Sequence, residues 1–183
     1  MNKCSEATHK FSVPIFMKEM KIISHVQDVI LDQFLANAND PSWYLSFAET
    51  VQNLSEEEAF WRPTEDSHSI AEIVQHLIYW NETWQIRYQK SDFKAVLSIE
   101  DNNKSFIIPA HKMFNELREE LLEVLLQWQD LLTEKQLESD VNGFPVPAKW
   151  YDLLGNAITH NAYHIGQIVY IRKLRKSWYR SDK

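Results

Sequence analysis

THNAYHIGQ, residues 159–167, sets His160 and His164 four positions apart in a run whose apolar residues recur with helical period. Four residues turn an α-helix about 40° past one full turn and raise it about 6 Å, so both imidazoles project from one side. The spacing suits a shared metal ion, although two histidines on one helix are more often ordinary residues than ligands. What surrounds the pair therefore decides its meaning. Trp150, Leu154, Ala157, Ile165 and Ile168 fall on one side and predict a helix over 150–174, with the histidines on the flank of that face. Gln167 projects beside them one turn further along, and Asn161 lies near the middle of the apolar face, where an amide needs a partner.

Moving toward the N-terminus, residues 138–149 (ESDVNGFPVPAK) hold Asn-Gly and two prolines and read as a turn with a short extended arm. Phe114, Leu117, Leu121, Val124, Trp128 and Leu131 form the seam of a helix over about 106–132. Pro109 is placed in its first turn, the only helical position that tolerates it. His111, one turn before Phe114, is a candidate to support a site from that end. Residues 91–103 read as a polar loop. A helix over 69–89 opens with Ser69 and Glu72 in capping-box spacing and carries Ile70, Ile73, Val74, Leu77, Trp80 and Trp84 on one side. His76 borders that stripe, whereas His68 precedes the cap and reads as exposed loop. Two short helical pieces are expected at 47–51 and 55–61, the second capped by Ser55 and Glu58.

Phe16, Met20, Ile23, Ile30 and Phe34, with Gln27 in the same stripe, predict a first helix over 15–36, and His25 points away from it into solvent. Residues 1–13 read as a loose leader and 14–183 as a single domain. Four amphipathic helices with little strand signal give an all-α four-helix bundle. The long connections at 37–68 and 91–107 leave room for crossovers, so the order of helices stays open.

Composition narrows the function. The 183 residues are 44% apolar with 3 Gly and 6 Pro, as expected of a folded helical protein. A net charge of −7 argues against nucleic-acid binding, which needs clustered Lys and Arg in excess. The basic residues from 172 to 180 are accounted for by the dipole of the last helix. Cys4 is the only cysteine, which excludes an internal disulfide and a cysteine-built metal site. No apolar run approaches membrane-spanning length and no signal-peptide core precedes the first helix, so a soluble, cytoplasmic protein without membrane partners is expected.

A helix bundle lets ligands from separate helices converge at its core. His76, a helix residue on the border of a core face, is the best candidate to join His160 and His164. Three imidazoles on one side of an ion leave positions for water or substrate, which is the pattern of a catalytic rather than a structural site.

At this point the chain resembles the DinB/YfiT-like superfamily. The matching residues are Pro41-Ser42-Trp43, Leu54-Ser55-Glu56-Glu57, Arg62-Pro63, the run HSIAEIVQHLIYW at 68–80, Val146-Pro147-Ala148 with Trp150, and finally His160, Tyr163-His164 and Gly166-Gln167. The resemblance spans nearly everything after residue 14. It implies a four-helix bundle in which a histidine of the second helix and an HxxxH pair of the fourth bind a divalent metal, here His76, His160 and His164. Zinc or nickel suits such nitrogen ligands. Gln167 matches a recurrent family glutamine, whose role is to orient His160 or a water on the metal. The implied activity is a metal-dependent transferase or hydrolase acting on a small molecule, in which an activated thiol or water attacks an electrophile. A low-molecular-weight thiol is a candidate partner.

Helical phase makes Asn161 and Gln167, rather than Glu82 or Tyr163, the polar candidates for a catalytic role. The alternative is a non-catalytic, stress-related bundle that binds a metal or ligand. A homodimer is expected from the resemblance and from Trp43, Tyr44, Phe47 and Trp178, aromatics outside the bundle stripes.

Overall fold

Four long helices carry the apolar stripes: α1 (Val26–Ala38), α2 (Ile70–Gln89), α3 (Phe114–Leu131) and α4 (Trp150–Arg175). The structure is a computed structural model describing residues 25–40 and 42–178. The expected leader, and the start of the first helix with Phe16, Met20 and Ile23, lie outside the described residues. Among the described residues there is no strand, only isolated bridges, and no helix is long and apolar enough to cross a membrane.

α1 packs on α3 and α4, and α2 packs on the same two helices. Among the described residues no comparable interface joins α1 to α2 or α3 to α4, so each of these pairs occupies opposite corners of the bundle. The chain must therefore cross the bundle end after α1. It does so through two short helices, Phe47–Thr50 and Glu56–Phe60, each opened by a capping box, Ser46 with Glu49 and Ser55 with Glu58. Arg172 ties this crossover to α4. Its buried guanidinium donates to the carbonyls of Thr50 at 2.5 Å and Gln52 at 3.1 Å, so it does more than complement the helix dipole.

α2 begins at the expected cap, with the Ser69 hydroxyl accepting from the Glu72 N–H and the Glu72 carboxylate accepting from the Ser69 N–H. The expected start of α3 is wrong by several residues. The Lys112 N–H closes a turn on the Pro109 carbonyl at 3.2 Å, and His111 takes a left-handed φ of 67°, which ends any helix before it forms. Pro109 thus opens a turn rather than the helix, and α3 starts at Phe114 with Met113 extended before it. The Phe114 N–H is received by the Glu56 carboxylate of the crossover at 3.0 Å, an anion at a helix N-terminus. His111 is exposed in that turn and cannot support a site in the core.

Toward one end of the bundle, Phe34 stacks on Trp128 at 4.7 Å and Tyr88 meets Trp150 edge-on at 5.3 Å. Toward the other, Val74, Leu77, Leu117, Leu121, Ile165 and Ile168 fill the space between α2, α3 and α4. Phe47 is fully buried in this second cluster, and Trp178 lies over the Arg172 guanidinium at 5.2 Å. Of the four aromatics expected to mark an interface, Trp43 alone stands fully in solvent. Tyr44 is partly covered and donates its hydroxyl to Asn37 Oδ1 at 3.1 Å.

Candidate metal centre

α2 and α4 run antiparallel, because Tyr88 meets Trp150 at one end of their contact while His76 meets His160 and His164 at the other. The three histidines converge through their Nε2 atoms. His160 Nε2 lies 3.0 Å from His76 Nε2 and 3.1 Å from His164 Nε2. His76 and His164 are buried, whereas His160 is partly open to solvent.

The outer nitrogens of the two buried rings fix their tautomers. Gln167 Oε1 lies 2.7 Å from His164 Nδ1; a carbonyl oxygen only accepts, so Nδ1 carries the proton and Nε2 faces inward with a lone pair. The Ser105 hydroxyl gives its hydrogen to the Asn102 carbonyl at 2.5 Å and therefore accepts from His76 Nδ1 at 2.7 Å. His76 Nε2 is thereby also an inward acceptor. Each of these inward lone pairs lies about 3 Å from His160 Nε2, so a proton on that nitrogen or a shared cation satisfies them. Ligand nitrogens about 2.1 Å from one ion stand about 3.0 Å apart at right angles and about 3.4 Å apart in a tetrahedron, so the two spacings to His160 Nε2, with all three ligand atoms within 4.8 Å of one another, are compatible with a shared ion.

Burial, and then the neighbouring imidazoles His164 and His160, push His76 down to about 3, while burial and His164 push His160 down to about 4. Burial also lowers His164, against the raising effect of Gln167. All three are thus neutral at pH 7, the state in which imidazole binds metal. The folded values lie below the unfolded value near 6.5, so the unfolded chain binds more protons in the window between. Metal-free protein is fully stable above that value and is expected to lose stability as pH falls toward about 4. Chelator-treated protein melted from about pH 7.5 to about pH 5 should show the loss, with a shallower slope in His76→Asn; a slope unchanged by the substitution contradicts it.

Two residues that sequence reasoning missed frame the cluster. The 3-10 turn Asn102–Phe106, opened by Asp101 accepting from the Asn103 N–H, carries Ser105 and also Phe106. The Phe106 ring stacks on His76 at 4.0 Å and on His68 at 3.8 Å, so the two imidazoles sandwich it. His68 is accordingly half-buried rather than the exposed loop residue expected. The alternation of Asp101, Asn102 and Asn103 before Ser105 marks a turn, but nothing in it reveals a contact with a helix 29 residues away.

Gln167 orients His164, not His160. Asn161 is buried and exchanges hydrogen bonds with Asn81 at 2.9 and 3.2 Å, which commits its amide to the core instead of to chemistry. Tyr163 is exposed on α4, its ring centroid 5.0 Å from that of His164 in an edge-on contact. Glu82 is largely exposed beside Glu120 and Lys112; partial desolvation, and then Glu120, raise its pKa.

Comparison with known proteins agrees with this fold. A DinB-like protein of Bacillus subtilis shares the fold with a TM-score of 0.62 at 18% identity, over 85% of this chain and 96% of its own. YfiT of the same organism, described as a probable metal-dependent hydrolase with an unusual four-helix bundle topology, superposes with a TM-score of 0.64 at 15% identity, over 84% of this chain and 89% of its own. Among curated proteins no match is found. The family model of the DinB superfamily matches residues 45–168, a span that runs from the crossover through all three histidines, and the chain belongs to that superfamily.

Proposed function

We propose that His76, His160 and His164 hold one divalent ion, zinc or nickel, and that the protein is a hydrolase or thiol transferase acting on a small molecule. The observation that carries this is the pair of locked tautomers, which aims the Nε2 lone pairs of His76 and His164 at His160 Nε2. A divalent ion held by three neutral nitrogens keeps its full charge and lowers the pKa of a water or thiol beside it. Ser105 and Gln167 hold the two buried imidazoles in register by accepting their outer protons. Phe106 covers the face of His76 and keeps water from it. A cavity of about 370 Å³ opens onto the cluster and leaves room for a substrate, which favours a catalytic over a purely structural centre.

Metal analysis of untagged protein, followed by turnover of chromogenic esters and thiol conjugation with and without chelator, tests the proposal. Absence of bound metal after exposure to micromolar zinc or nickel rejects it. Gln167→Leu and Ser105→Ala should each weaken metal binding by about 10–100-fold while keeping all three ligands. Competition against a chromophoric chelator measures both, and unchanged affinity in both removes the orienting role.

A further inference from the structure

The cavity beside the imidazoles has a chemistry of its own. His76, Trp80 and Trp84 follow one another at four-residue intervals on α2 and so form one wall, an imidazole and then two indoles. Ala157 and Asn156, on the antiparallel α4, lie one turn before His160 and form the facing wall, and Phe106 closes the end beside His76. The polar groups at its rim are Asn102, whose Oδ1 accepts from Trp80 Nε1 at 3.2 Å, and Asn156, which donates to its own helix at Asp152 O. Among the described residues that line this cavity there is no Lys, Arg, Asp or Glu. The chain does build a charged cavity of about 590 Å³, lined by Arg62, Glu72, Asp101 and Lys104, but it lies across the Phe106 ring. Because His68 and His76 occupy opposite faces of that ring, the charged groups are screened from the imidazoles.

We propose that the His76–Trp80–Trp84 groove binds a neutral aryl group and presents it to the imidazole cluster, so that the part of the substrate seated in this groove is an uncharged aromatic ring. The assignment rests on the metal reading only for what happens to the bound group; its binding does not need the ion. Two partly exposed indoles one turn apart, Trp84 with one face taken by the Arg87 guanidinium at 5.0 Å, offer flat surfaces with little freedom, on which aromatic ligands stack. In metal-free protein an anionic ligand would meet no cation among the residues that line this cavity; the guanidinium of Arg87 is buried against the Trp84 ring at 5.0 Å. Such a ligand would also meet neutral imidazoles in metal-free protein and a chain whose net charge is −7. The volume, near the low end of the about 300–1,000 Å³ of small-molecule sites, suits a compact ligand of one or two rings.

The test is direct binding of 2-naphthol and of 2-naphthoate, followed by calorimetry, to the full chain in metal-free and zinc-loaded form, with zinc content measured on the same samples. The expected result is that metal-free protein binds naphthol more tightly than naphthoate, and that Trp80→Ala weakens naphthol by at least about fivefold, the weight of a lost aromatic contact. Trp84→Leu, which keeps apolar volume and loses the ring, serves as the second variant, and circular dichroism establishes that each is folded. Tighter binding of naphthoate to metal-free protein, no binding of naphthol, or full affinity in a folded variant overturns the assignment. Naphthol binding by protein that retains no zinc after equilibration with zinc would overturn the metal reading and leave this one standing. Zinc retention without naphthol binding does the reverse.

Discussion

Replacing His160 with alanine is expected to abolish stoichiometric divalent-metal binding while leaving helix content and stability nearly unchanged. His160 Nε2 is the atom the other two share, 3.0 Å from one and 3.1 Å from the other, so its loss leaves two ligands and no enclosing set. The effect should exceed the about 10–100-fold that follows loss of an outer partner. Its structural cost is small because the ring is partly open to solvent and its removal leaves no cavity in the core, so the metal-free variant should stay within about 1 kcal/mol of metal-free wild type. His76→Ala is a poorer probe of the same point. It removes a buried ring stacked on Phe106 and strips the Ser105 hydroxyl of its donor, so lost stability would accompany lost metal. Elemental analysis after equilibration with zinc, beside far-ultraviolet circular dichroism, decides the matter; retention of one equivalent of metal by His160→Ala would remove the site.

The parts of this molecule that follow from local rules are legible in the chain. Helix α2 begins where Ser69 and Glu72 say it does, and the two short helices of the crossover, Phe47–Thr50 and Glu56–Phe60, fall on the expected stretches. The start of α3 was misread because periodicity continues through His111 and because proline is permitted in a first turn. Only the left-handed φ of His111 separates turn from helix, and no side-chain pattern announces it. The convergence of His76 with His160 and His164 was legible because the HxxxH spacing pairs the last two, while His76, on the border of an apolar stripe, was joined to them through the resemblance to the superfamily. The groups that set their tautomers were legible only in part. Gln167 shares a helix with its target and can be found by counting, whereas Ser105 reaches His76 through a loop whose path depends on tertiary packing. Asn161 shows the limit of phase arguments most clearly. Its position on the apolar face signals a polar group in need of a partner, but phase cannot tell a buried amide partner from a metal.

That partner supplies the second large effect. Asn81→Leu is expected to destabilise the protein by about 3–5 kcal/mol, more than a leucine of similar size would suggest in an apolar core. Asn81 is 1% exposed, and its side chain satisfies groups on three helices at once. Oδ1 accepts from Trp128 Nε1 of α3 at 3.1 Å and from Asn161 Nδ2 of α4 at 3.2 Å, while Nδ2 donates to Asn161 Oδ1 at 2.9 Å and to the Leu77 carbonyl of its own helix at 2.8 Å. Leucine leaves the indole N–H and the Asn161 amide buried without partners, each costing about 1–3 kcal/mol.

Asn161→Leu orphans only part of Asn81, which keeps Trp128 and Leu77, and should cost less. The double replacement should cost less than the sum of the single ones by about 1–3 kcal/mol, because the mutual bonds can be lost only once. Urea unfolding of the four proteins measures this, and strict additivity would show that the amides do not act as a pair. The cycle also bears on the site, since Asn161 directly follows His160 and Asn81 lies five residues after His76 on the facing helix. The amide pair pins α2 to α4 beside the cluster. A folded Asn81→Leu protein should therefore bind zinc more weakly although no ligand has been touched.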